Sequence, residues 1–269
     1  MASGRDLVAS ECRGHALVMH DWSDLRYSTH TRKTDRIPIG KDQGYQLETA
    51  LLVSDRTGLP LTPLSLSLWA ADGIHTTRGA EVATAHWRLD ELTATIKALE
   101  AGEWDLPLVH LTDRESDSIT HLRDWDREQW RFVVRAKALP FANWEGRKIR
   151  LGEIGDHLTW RPSGAVQLTA EVIAQQMIAE TEVTIPRPGQ RRVRRGKGRV
   201  RNHEPGAPLR LRLIVVRLML PDNGLAGEWL LLTNLGAEVS AEVIAEGCGS
   251  FRTTSIPRKI GDFAEFANC

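Results

Sequence analysis

Apolar positions in the first half of the chain fall into short runs that stop at polar or acidic residues, with two stretches of helical period between them. Residues 16–20 read as a short strand running into His20 and Asp21. Tyr45 to Val53 reads as a second strand, and Ser54 to Gly58 as a turn. Leu59 to Trp69 then alternates well enough to return as a hairpin partner. From about Thr77 to Gly102, Trp87, Leu92, Ile96 and Leu99 recur at helical spacing, and Gly102 is a natural stop, which predicts a long amphipathic helix. Leu106 to Thr112 is the next apolar run and ends before Asp113. Ser116 to Trp130 reads as helix and Arg131 to Lys137 as strand. Strands, helix, strand, helix, strand is the order expected of an α/β fold, a mixed sheet with helices on its faces.

The texture changes after Pro140. Val166 to Ile173, Ile178 to Ile185, Leu209 to Leu220 and Trp229 to Thr233 read as strands separated by Pro, Gly and Asn turns, which predicts a mostly β segment. Within it the stretch from Arg187 to Arg201 holds eight basic residues and no acid. So many like charges repel one another unless an anion neutralises them. The expected picture is an extended or disordered loop when unbound, and a phosphate-tracking segment when bound.

Composition narrows the class without naming a chemistry. The 269 residues suffice for one domain with an insertion or for two small ones, and 41% apolar content is ordinary for a globular chain. Thirty-five basic and 35 acidic residues cancel, so attraction to nucleic acid has to come from local clustering. Cys12, Cys248 and Cys269 are odd in number and have no C-x-x-C spacing, so a reducing compartment, the cytoplasm, is the simplest expectation. No apolar run approaches the ~20 residues of a membrane span, and residues 1–20 lack a continuous signal-length segment, so no membrane association or export is expected.

Asp113 and Asp21 each follow an apolar run, which places both at the C-terminal ends of strands. An acid in such a place is often only a turn former or helix cap. Two of them on adjacent strand ends, however, make a carboxylate pair of the kind that hard divalent cations prefer.

Four blocks then occur in order: Leu17-Val18-Met19-His20-Asp21, Thr112-Asp113-Arg114-Glu115-Ser116-Asp117, Arg131-Phe132-Val133-Val134-Arg135-Ala136-Lys137, and Glu228-Trp229-Leu230-Leu231-Leu232-Thr233-Asn234. Over roughly residues 14–246 they resemble bacterial cut-and-paste DDE transposases of the Tn-five-like, insertion-sequence-four group. That resemblance implies a ribonuclease-H-like mixed sheet flanked by helices, with a β-rich insertion domain. On this reading residues 14–140 are the first part of the catalytic core, 141–234 the insertion with its basic loop at 187–201, and 235–246 the start of the returning core helix. It also implies metal-dependent phosphodiester hydrolysis and strand transfer at transposon ends, with double-stranded DNA as partner and pairing of two copies as in the family. Two Mg²⁺ (or Mn²⁺) ions are expected in the intact family, ~3.5–4 Å apart, to activate the attacking oxygen and stabilise the leaving one.

Residue by residue, Asp21 and Asp113 match the first two acids of the family triad and are the expected catalytic and metal-binding groups. Arg135 and Lys137 match a DNA-contacting surface, and Trp229 a tryptophan on which an extruded base stacks. The basic residues Arg191, Arg192, Arg194, Arg195 and Lys197 are the expected phosphate contacts. Arg135 and Lys137 also fit ordinary strand-edge charges, and Trp229 a core tryptophan at a strand start.

After Glu246 the chain departs from the family. The long helix that supplies the third acid in a Y-x-x-R-x-x-x-E pattern has no counterpart, and residues 247–269 carry glycines and Pro257 where that acid falls. A frameshifted, poorly ordered tail is the expected explanation. Neither Glu246 nor Glu265 inherits the role by position. Strand cleavage is therefore expected to be lost, and the alternative function is a non-catalytic DNA-binding remnant of a transposase. An unrelated α/β nuclease using Asp21, Asp24 and Asp113 leaves the Trp229 and Phe132 blocks unexplained.

Overall fold

The computed structural model describes residues 3–79, 87–195 and 198–249, with backbone alone at 190–195, 198–204 and 246–249. It contains two compact units, Met1–Thr112 and Asp113–Cys269. Both are α/β or β-rich, and among the described residues no helix is long and apolar enough to cross a membrane.

The first unit opens with helix α1 (Gly4–Glu11). The Ser3 hydroxyl accepts from Asp6 N while the Asp6 carboxylate accepts from Ser3 N, a reciprocal cap that satisfies two otherwise orphaned donors. Strands β1 (Ala16–Arg26), β2 (Ile37–Ile39), β3 (Asp42–Ser54), β4 (Pro60–Ala70) and β5 (Gly73–Thr76) follow, then α2 (Arg88–Glu100) and β6 (Leu108–Thr112). The strands lie in the order β5-β4-β3-β1-β6, with β2 beside the start of β3. All neighbours are antiparallel except β1 and β6, which run parallel from Ala16↔Leu108 to Met19↔Leu111. Alternation carries Ala16 and Val18, Ala50 and Leu52, and Leu108 into one core with Val8, Cys12 and Leu99. Helix α2 covers this face, burying Leu92, Ile96 and Leu99 together with two polar residues, Glu91 and Thr95.

Two sequence expectations change here. The strand expected to end at His20 continues to Arg26, so Asp21 stands within β1 and not at its end. The physical reason is the 13-residue partner β3, which pairs with β1 as far as Arg26↔Gly44, well past the last β1–β6 pair. With β6 gone from its other side, that half of β1 can carry the exposed Asp21 and Arg26. The helix expected from Thr77 begins at Arg88. Gly73–Thr76 forms a strand, 77–78 a turn, and residues 80–86 lie outside the described residues.

In the second unit Asp113 caps a single 3₁₀ turn (Arg114–Ser116), its Oδ1 accepting Glu115 N at 2.9 Å. Helix α3 (Ile119–Arg127) and strands β7 (Arg131–Arg135), β8 (Phe141–Trp144) and β9 (Arg147–Arg150) follow. Positive φ at Glu145 (47°) and Gly146 (75°) makes the two-residue β8–β9 connection, the twist-matched turn of a tight hairpin. A short helix α4 (Leu151–Ile154) precedes β10 (Arg161–Gln167), β11 (Ile173–Ile185), β12 (Gly189–Arg195), β13 (Gly198–Glu204), β14 (Leu209–Met219) and β15 (Leu225–Thr233), and α5 (Ala241–Gly249) closes the described chain. The sheet runs β7-β15-β14-β11-β8-β9, with β10 also on β11, all antiparallel. Its centre is β14, where Leu211, Leu213, Ile214, Val215, Val216 and Leu218 are buried.

Thr233 and Asn234 close the β15–β7 pair. The Thr233 hydroxyl donates to Phe132 O (2.6 Å), and Asn234 accepts from Phe132 N (3.1 Å) while donating to Trp130 O (2.9 Å). The basic stretch, expected as an extended or disordered loop, is instead a two-stranded hairpin, β12 against β13, from Gly189↔Glu204 to Arg195↔Gly198. Backbone pairing through the ladder offsets the charge repulsion that the sequence emphasised. Lys197 and the expected disorder of residues 250–269 lie outside the described residues; of 247–269, the described 247–249 belong to α5.

Candidate metal and nucleic-acid site

Asp21 is exposed on β1 and accepts a hydrogen bond from the Ser23 hydroxyl at 3.2 Å. Alternation puts it on the sheet face opposite His20. Asp24 lies on the His20 face and is engaged by Arg88 (3.3 Å) and Gln46 (3.2 Å), so it does not join Asp21, against the three-acid nuclease reading. Asp113 is exposed at the start of the second unit and already caps the 3₁₀ turn. Among the described residues no group of three or more His, Cys, Asp or Glu side chains could hold a metal ion.

Arg135 and Trp229 do come together. They sit on the neighbouring strands β7 and β15, with the Arg135 guanidinium 5.9 Å from the Trp229 ring centroid, a cation–π distance. Trp229 is half-buried. Lys137 is exposed just beyond β7, and its backbone N–H donates to Asp117 Oδ2 at 2.9 Å. The remaining basic candidates, Arg191, Arg192, Arg194 and Arg195, lie on β12.

The stem of that hairpin is clamped. Arg123 of α3 donates through Nε to Ala207 O and through Nη2 to Arg187 O, both at 2.8 Å, and so ties the two chain segments flanking the hairpin to one guanidinium. Arg187 in turn donates to Asp117 Oδ1 at 2.7 Å, and the Asp117 side chain is fully buried. A Cβ at Gly206 would lie 2.9 Å from Arg123 Nη1, so a side chain there would press on the guanidinium that the two carbonyls hold. Sequence reasoning assigned Asp117 no role. It is the residue through which the Asp113-bearing segment holds both the end of β7 and the hairpin stem.

A second feature escaped sequence reasoning entirely. Beneath α2, His20 Nε2 lies 2.9 Å from His110 Nδ1, His110 Nε2 lies 3.1 Å from Glu100, and Glu48 accepts from the Thr95 hydroxyl at 2.8 Å. Burial lowers His20 to about 3 and His110 to about 4, in the latter case against the raising pull of Glu100. It raises Glu48 from 4.5 to about 7. With both imidazoles neutral, His110 Nε2–H donates a hydrogen bond to Glu100 and His110 Nδ1 accepts one from His20 Nε2–H, which leaves His20 Nδ1 without a proton. That atom faces Glu48 Oε1 across 3.6 Å, and among the described residues neither has a hydrogen-bond partner. A proton on Glu48 converts this pair of facing acceptors into donor and acceptor. The signal was present in the sequence, since His20, His110 and Glu48 occupy inward slots beside Val18, Leu108 and Ala50.

No protein-family model matches the chain, and no curated protein matches its sequence.

Proposed function

We propose that the chain is a DNA-binding protein built on the ribonuclease-H-like core of DDE transposases, with Asp21 and Asp113 as the first two acids of its triad and transposon-end duplex DNA as its partner. The observation that carries the reading is the parallel β1–β6 pair. Met19 pairs with Leu111, Asp21 stands two residues past Met19, and the chain leaves β6 at Thr112 directly into Asp113. A parallel pair with antiparallel strands on its outer side is also the arrangement a ribonuclease-H-like sheet requires. Exposed carboxylates suit Mg²⁺ or Mn²⁺, hard ions that keep part of their water shell when bound. Such an ion would supply activation of water and stabilisation of the leaving oxygen.

The reading has the protein bind in the bacterial cytoplasm without cutting, because the position of the third acid falls near Pro257 and no acid of 247–269 aligns with it. The binding groups in this reading are the basic hairpin β12–β13, Lys197, the Arg135–Trp229 pair and Lys137. Fluorescence anisotropy of duplex DNA against salt tests it. Affinity should fall linearly with salt on log–log axes with a slope of several, at ~0.9 per phosphate contact. Failure of the full chain to bind duplex DNA at low salt would remove the reading.

A further inference from the structure

The register of the basic hairpin divides its arginines unevenly. Paired residues of an antiparallel ribbon share a face, and alternate residues change face. The pairs Arg192↔Arg201 and Arg194↔Arg199 therefore fall on one face, with Gln190↔His203 beside them. The opposite face holds Arg191↔Asn202, Val193↔Val200 and Arg195↔Gly198. One face thus carries two successive arginine–arginine cross-strand pairs, while the other mixes isolated arginines with valines.

Like charges directly opposite one another destabilise a ribbon. Two such pairs in sequence put four arginine positions on one face of the ribbon, about 5 Å apart across the strands and about 7 Å apart along them, the spacings of adjacent strands and of alternate residues. Resting on the reading of the chain as a DNA-binding protein, we propose that the Arg192, Arg194, Arg199 and Arg201 face of the β12–β13 hairpin is its duplex-binding surface. On this assignment the four arginines track backbone phosphates and the Arg191 and Arg195 face does not. A regular double helix is the favoured partner because its phosphates form a continuous array, and because a two-stranded ribbon has the width of a major groove, about 12 Å. The clamp at the stem serves that role. Arg123 holds Ala207 O and Arg187 O, and Asp117 holds Arg187, so the ribbon leaves the second unit from a fixed base and phosphate contacts cost little ordering.

A charge-matched comparison in the full-length chain tests the assignment. R192Q/R194Q and R191Q/R195Q each remove two positive charges from the same strand, so any effect of net charge is equal in both. Binding of a short random-sequence duplex should lose about 1.8 from its log affinity against log salt slope in R192Q/R194Q, two phosphate contacts at ~0.9 each, and R191Q/R195Q should keep the wild-type slope. R199Q/R201Q, on the other strand of the same face, should reproduce the loss, which guards against a local folding defect in either β12 variant. Equal losses in the two β12 variants, or a larger loss in R191Q/R195Q, would overturn the face assignment while leaving duplex binding intact. Absence of duplex binding by the wild type would overturn both, and tighter binding of single-stranded RNA than of duplex would overturn the choice of partner.

Discussion

Asp117 and Arg187 form an ion pair of 2.7 Å in which the aspartate side chain is wholly buried and the arginine side chain 29% exposed. The two residues are 70 apart in the chain, and the second oxygen of the same carboxylate receives the backbone N–H of Lys137. A carboxylate so enclosed is stable only while both partners remain. It makes the segment after Asp113, the end of β7 and the stem of the basic hairpin one hydrogen-bonded unit.

Asp117→Ala should therefore lower the stability of the chain by ~2–3 kcal/mol. That is less than for a fully buried pair, because Arg187 keeps contact with water after losing its partner. Urea unfolding checks it, and a loss below about 0.5 kcal/mol, the size of an ordinary surface substitution, would show that the pair holds nothing together.

Gly206→Ala places a methyl 2.9 Å from Arg123 Nη1 and 3.0 Å from its Cζ. The guanidinium is pinned by two carbonyls and cannot retreat without releasing one of them. A cost of ~1 kcal/mol is expected. Substituting Arg123→Ala in the same background should absorb most of it, and additivity of the two changes in thermal melts would contradict the clamp.

The buried Glu48 makes a pH prediction whose sign follows from its raised value. A carboxyl that titrates near 7 in the folded chain and at 4.5 when unfolded binds more protons folded than unfolded between those values. Its contribution to stability therefore falls as pH rises from 4.5 to 7, is wholly lost above that window, and below 4.5 carries no penalty. His20 and His110, lowered by burial, act on the acid side instead: as pH falls below 6.5 the unfolded chain takes up protons that the folded chain refuses. Glu48→Gln isolates the first effect. The difference in Tm between variant and wild type should grow in the variant's favour from pH 4.5 to 7 and then level off, whereas a pH-independent difference would mean that Glu48 is ionised throughout.

With Mg²⁺ or Mn²⁺ present, the chain should leave duplex DNA uncut. On the proposed reading Asp21 and Asp113 lack a third acid, and without it the developing charge of phosphoryl transfer would lack its stabilisation. Gel analysis of supercoiled plasmid provides the measurement. Nicking by wild type that Asp113→Ala abolishes would refute the expectation and direct the search to Glu246 and Glu265 as substitute acids.

Alternation and helical period, which are local properties, made much of the architecture legible in the sequence. The pairing of β3 with β4, the strand before Asp113, the strand Arg131 to Arg135 and the long central β14 are all visible as apolar runs bounded by turns. The first half reads as α/β and the second as mostly β for the same reason. What the sequence could not decide were features set by partners distant in the chain. The length of β1 past Asp21 depends on β3 continuing beside it after β6 has ended. The hairpin form of the basic segment depends on a backbone ladder that a count of like charges opposes. Asp117 and the His20–His110–Glu48 group carry polar side chains whose burial is tolerated only because Arg187, Glu100 and Thr95 meet them in three dimensions. A buried charge or imidazole is unfavourable alone and favourable in company. The sequence displays such a residue, but only the tertiary structure supplies its partners.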